Sequence, residues 1–129
     1  MQKKAAVDIG SNSIRYLGPN GERRLITTRL AENIISTGKL SDAAIERSIA
    51  ALKELAALAA AQDAKPYAYA TSAVRDAKFG SRERFLALAG EIMPVRVLSG
   101  EDEATFARIG AGTVSYTHLR AHETRHDLV

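Results

Sequence analysis

Three short stretches of the chain combine residue types suited to chemistry on oxyanions. The first is Val7-Asp8-Ile9-Gly10-Ser11-Asn12-Ser13. Gly10 lets the backbone approach a ligand closely. Successive amides in such a turn can cradle phosphate oxygens, and the hydroxyls of Ser11 and Ser13 add donors. Asp8 has the chemistry to hold a divalent cation, directly or through water. A plain hairpin turn with an Asx cap explains the same residues. The second stretch is Tyr69-Ala70-Thr71-Ser72-Ala73-Val74-Arg75-Asp76. Arg75 carries a planar fork matched to phosphate; the alternative is a surface ion pair with Asp76 or another acid. The third is Val97-Leu98-Ser99-Gly100-Glu101-Asp102-Glu103. Acids in a first helical turn favour the positive end of the helix dipole. A carboxylate facing a crevice there would also serve as general base toward water.

Each stretch lies at the end of a segment that reads as a strand, so one sheet edge would gather all of them. The pattern predicts the order β-β-β-α-β-α-β-α. Lys4–Ile9 reads as a strand entering a turn. Ser13–Leu17 and Arg23–Leu30 flank Gly18-Pro19-Asn20-Gly21, and Asn-Gly between apolar runs is a strong hairpin signal. The first strands therefore form an antiparallel meander. Residues 36–39 read as a loop. Ser41 caps a long helix, with Ile45, Ile49, Leu52, Leu55 and Leu58 at helical spacing, running to about Asp63. Pro66 bars its continuation. Tyr67–Thr71 reads as a strand and Ser81–Ile92 as a helix with Phe85, Leu88 and Ile92 on one face. Val95–Leu98 is a short strand before the acidic helix. Strands alternating with helices predict a parallel extension of the sheet.

Composition bounds the rest. The 129 residues suit one domain, and 46% hydrophobic with 26% charged residues fits a chain that buries a core. There are no cysteines, which excludes disulfides, thiolate metal sites and cysteine nucleophiles. No apolar run reaches the length of a membrane span, and the start does not read as a signal peptide. These features fit a reduced cytoplasm. The net charge of +3 is interspersed, and there is no tryptophan. That disfavours a nucleic-acid partner and suits a small anionic substrate.

AAVDIGSNSIRYL, AYATSAVRDA and VRVLSGEDEA, in this order and spacing, resemble the exopolyphosphatase / guanosine pentaphosphate phosphatase family. The resemblance runs from about Lys4 to Gly112 and includes ISTGKLSDAAIER. It implies a ribonuclease-H-like lobe of the actin-like ATPase superfamily, with a five-stranded mixed sheet and flanking helices. It implies hydrolysis of a terminal phosphoanhydride of inorganic polyphosphate or guanosine pentaphosphate, with Mg²⁺. Carried over by residue, Glu103 matches the carboxylate that activates water. Gly10, Ser11, Asn12 and Ser13 match the first phosphate loop, Arg75 a substrate-phosphate arginine, and Asp8 the acid near the metal. Rival readings are a small-molecule kinase of the superfamily and a catalytically silent phosphate- or nucleotide-binding lobe.

The family's second Gly-rich phosphate loop, of the Asp-Ile-Gly-Gly-Gly-Ser-Thr-Glu type, has no counterpart here. The expectation is residues 1–113 as the first lobe only, inactive alone, with a second lobe missing and self-association possible through the uncovered face. Residues 114–129 look foreign to the family and are expected to be a non-native or disordered tail. The tail holds all 3 histidines, His118, His122 and His126, at i, i+4 and i+8. That spacing suits zinc, but the segment lacks an apolar face to dock a helix, so no metal site is expected.

Overall fold

The computed structural model describes residues 3–101. One compact unit ends at Val97 and a second begins at Leu98, of which Leu98–Glu101 are described. The first unit runs β1 (Lys3–Ile9), β2 (Ser13–Leu17), β3 (Arg23–Thr27), α1 (Ile34–Thr37), α2 (Asp42–Ala61), β4 (Ala64–Ala70), α3 (Ser72–Arg75), α4 (Ser81–Gly90) and β5 (Val95–Val97). The strands form one sheet in the order β3-β2-β1-β4-β5. β1 pairs antiparallel with β2, and β2 with β3; β4 runs parallel to both β1 and β5. This is the mixed sheet with an N-terminal meander that the motifs implied.

Alternation along β1 explains the layering. Ala5, Val7 and Ile9 are buried on one face, while Lys4, Ala6 and Asp8 point to the other. α2 covers the apolar face and packs on β4, β2 and α4. Its inward stripe is Ala44, Ile45, Ser48, Ala51, Leu52, Leu55 and Ala59, spaced three and four apart. The alanines in that stripe let the helix sit close to the strands. The Ser41 hydroxyl accepts from the Ala44 N–H at 3.1 Å, satisfying a donor that the first turn leaves open.

Several boundaries differ from the sequence expectation. β3 stops at Thr27 rather than Leu30 because the Thr28 and Arg29 amides bond to the Asn12 carbonyl, off the strand ladder. The hairpin closes as a longer loop: the Gly21 N–H donates to the Gly18 carbonyl, and Gly21 takes φ +89, which glycine adopts freely. Residues 34–37 form a helical turn, not a loop, ended by Gly38. α2 ends at Ala61 and α4 at Gly90, two residues short of expectation in each case. In α4 the buried seam follows Phe85 and Ala89 at i, i+4, leaving Leu88 38% exposed. β4 begins at Ala64, so Pro66 lies inside a strand. Pro66 shares the side of β4 on which Ala68 bonds to Pro94, but β5 reaches only to the level of Ala68, so no ladder bond is lost.

At the far end of the meander the buried Tyr16 hydroxyl donates to Gln62 Oε1 at 2.5 Å. Burial, and then the charge of Glu22, raise its pKa above the ordinary 10.0. The folded state thus holds this proton more tightly than the unfolded state. The contribution is complete below about pH 10 and is lost as pH rises through the folded value. Tyr16→Phe should cost about 0.5–1.5 kcal/mol at pH 7. It should also reduce the alkaline loss of stability, as urea melts at pH 7 and pH 11 will read.

Candidate functional site

The register brings the ends of three strands level: Ile9 pairs with Ala70, and Ala70 with Val97. The Asp8–Ser13 stretch and the Thr71–Arg75 stretch therefore leave the sheet side by side, as the sequence leads one to expect, and β5 ends level with them at Val97.

The loop after β1 is built as a ring of used acceptors. The Gly10 N–H donates to the Ser13 carbonyl at 3.1 Å. A Cβ on Gly10 would stand 3.0 Å from that same backbone oxygen, so any side chain here would crowd the turn. The Ser11 carbonyl accepts from Ala31 (2.9 Å), and the Asn12 carbonyl from Thr28 (3.0 Å) and Arg29 (2.9 Å). Ser11 and Asn12 are exposed, and among the described residues their own N–H groups meet no protein acceptor. Acceptors turned inward and donors turned outward give the polarity that an anion needs.

Thr71 joins the second motif to the first. Its N–H (3.3 Å) and its hydroxyl (3.2 Å) both donate to the Ile9 carbonyl. Its own carbonyl accepts from Val74 and Arg75, starting the single turn of α3. The Ser72 and Ala73 N–H groups are in the first turn and have no intrahelical acceptor. Arg75 closes α3, with Nε 3.2 Å from Asp76 Oδ1 and Nη2 3.5 Å from Oδ2. So the ion pair considered as the alternative is present. The Asp76 side chain is 65% exposed and that of Arg75 28%, so solvent screens the pair from one side. Arg82 of α4 donates to the Arg75 carbonyl at 3.4 Å.

A crevice of about 420 Å³ opens beside these loops. Its lining includes Ser11, Ser72, Asp76 and Lys78 as polar groups and Ile34 and Ile35 as apolar ones. Sequence reasoning missed α3, the crevice and the segment 28–31 that braces the loop. Arg29 sits at φ +51, a backbone state no sequence signal announces for arginine.

Asp8 is half-buried in β1, opposite Arg15 on one side and Tyr69 on the other. Among the described residues no group of three or more acids and histidines gathers as a metal cage. Mg²⁺ commonly takes one or two carboxylates and keeps water and substrate phosphates. Asp8, a carboxylate one residue before the end of β1, has the donor chemistry of that set. The backbone turns helical at Gly100 and Glu101, with Glu101 exposed. Glu103, His118, His122 and His126 lie outside the described residues. No helix among the described residues is long and apolar enough to cross a membrane.

The sheet order and the flanking helices define a ribonuclease-H-like α/β lobe. The Ppx/GppA phosphatase family profile matches residues 21–123. An exopolyphosphatase-like protein of solved structure is 30% identical with a TM-score of 0.77, over 89% of this chain and 38% of its own. The Aquifex aeolicus Ppx/GppA family member is 31% identical with a TM-score of 0.72, over 84% of this chain and 39% of its own. An exopolyphosphatase from Cytophaga hutchinsonii shares the fold at 20% identity, with a TM-score of 0.72 over 81% of this chain and 36% of its own. No curated protein matches the chain. The chain belongs to the Ppx/GppA phosphatase family, and it spans under two-fifths of the length of these solved relatives.

Proposed function

We propose that this lobe is the first phosphate-binding half of a phosphoanhydride hydrolase acting on inorganic polyphosphate or guanosine pentaphosphate. The observation that carries the reading is the loop after β1. Its Ser11, Asn12 and Ser13 carbonyls accept from neighbouring amides, while among the described residues the Ser11 and Asn12 N–H groups meet no protein acceptor, and Ser11 lines the same crevice as Ser72. The Ser11 and Asn12 amides and the Ser11 and Ser13 hydroxyls hold the terminal phosphate, and Gly10 gives the backbone its close approach. Arg75 adds a forked cation. Asp8 holds Mg²⁺, which supplies charge neutralisation at the phosphates when bound. Glu103 accepts the proton of the attacking water, the role its place in the family's motif implies. Most of the rate in such a reaction comes from preorganised charge around the phosphoryl group. The phosphatase family match and the relative named exopolyphosphatase-like support the reaction class.

Arg75→Ala should weaken tripolyphosphate binding, and Arg75→Lys should restore only part of it, because the two-pronged contact is lost. Isothermal titration at two salt concentrations reads both. Equal affinity of the Lys variant and the wild type would reduce Arg75 to its pair with Asp76.

A further inference from the structure

One residue of α2 ties down the segment that ties down the phosphate loop. Arg47 Nε donates to the Thr28 carbonyl at 2.8 Å. Its Nη2 donates to the Arg29 carbonyl at 3.4 Å and pairs with Glu32 Oε2 at 3.1 Å. The amides of Thr28, Arg29 and Ala31 in turn hold the Asn12 and Ser11 carbonyls. Residues 28–33 belong to no strand or helix, and both Arg29 and Asn33 take left-handed backbone angles. Such a stretch has no ladder of its own to keep its shape, so its geometry depends on outside anchors. α2 is the rigid anchor, with 20 residues and a buried stripe against the sheet.

We infer that Arg47 is a positioning residue for phosphate binding. Its guanidinium fixes segment 28–32, whose amides hold the Ser11 and Asn12 carbonyls inward and so keep the loop's own N–H groups facing the ligand. A fork is needed, because two carbonyls and a carboxylate are met at once. The role rests on the phosphate reading of the loop, but the bracing itself does not.

The test uses the 129-residue chain, inorganic tripolyphosphate and the variants Arg47→Lys and Glu32→Gln, with Arg47→Met as the full deletion of the guanidinium. Arg47→Lys keeps the charge but not the fork. It should weaken tripolyphosphate binding by about 3–10-fold. It should also raise amide hydrogen exchange at Thr28, Arg29 and Ala31 while leaving Leu52 and Leu55 protected. Glu32→Gln, which leaves the carbonyl bonds in place, should change affinity less than twofold. Unchanged exchange at 28–31 in both Arg47 variants would overturn the bracing. Raised exchange with unchanged affinity would overturn the positioning role. Wild-type binding that leaves Ser11, Asn12 and Ser13 unperturbed would instead overturn the phosphate reading of the loop, and exchange in Arg47→Lys would still report on the brace. Arg47→Lys read beside Glu32→Gln keeps the test open if Arg47→Met fails to fold.

Discussion

In a polypeptide completed with the second lobe of the family, Glu103→Gln is expected to lower turnover by about 10²–10⁴-fold and to leave substrate affinity within a few-fold. Gln keeps the shape and one acceptor of the side chain but cannot take a proton at neutral pH. The groups proposed to hold the phosphate, Gly10–Ser13 and Arg75, are untouched by the change, so binding should survive. The loss belongs to kcat, as expected when an interaction is made only in the transition state. Release of orthophosphate from polyphosphate at saturating substrate, beside a binding titration, separates the two quantities. Turnover near that of the unmodified protein would remove Glu103 from the role of base, and Glu101 would be the next acid to replace.

The second large effect concerns the chain by itself. It spans 38% of the exopolyphosphatase-like relative and 39% of the Aquifex aeolicus one. The family's other phosphate loop has no counterpart in its sequence. A transition state held from one side only lacks half its donors. The 129-residue chain should therefore release phosphate at less than about one hundredth of the rate of a two-lobe protein, while keeping measurable affinity for a polyanion. Roughly millimolar binding corresponds to about 4 kcal/mol, within reach of a few charge-assisted hydrogen bonds. Robust metal-dependent phosphate release by the isolated chain would overturn this.

Much of the fold was legible because its signals are local. Ser41 before a run of apolar residues at helical spacing announces α2, and its cap bond forms as expected. The alternation of β1 and the turn residues of the hairpin announce the meander. Three motifs at three strand ends announce the shared edge, since parallel strands put their exits on one side. What was hidden is what tertiary structure imposes. α3 is a single turn, too short to show a period, and it exists because Thr71 is fixed to Ile9 and Val74 is buried. Pro66 reads as a breaker, yet it is harmless in a strand whose neighbour stops short of it. Leu88 fits a helical stripe with Phe85, but the packing follows the i, i+4 line instead. The brace from Arg47 to Thr28 spans 19 residues and couples a helix to an irregular segment, a relation with no periodic signature.

The most direct measurement of the central claim is a tripolyphosphate titration of the ¹⁵N-labelled chain, followed by amide chemical shifts. The account predicts saturable shifts, weakened by salt, concentrated at Ser11, Asn12, Ser13, Ser72, Ala73 and Arg75, the amides at the ends of β1 and β4. Shifts that spread over exposed lysines such as Lys53 and Lys65 without saturating, and that pass over Ser11 and Asn12, would contradict it.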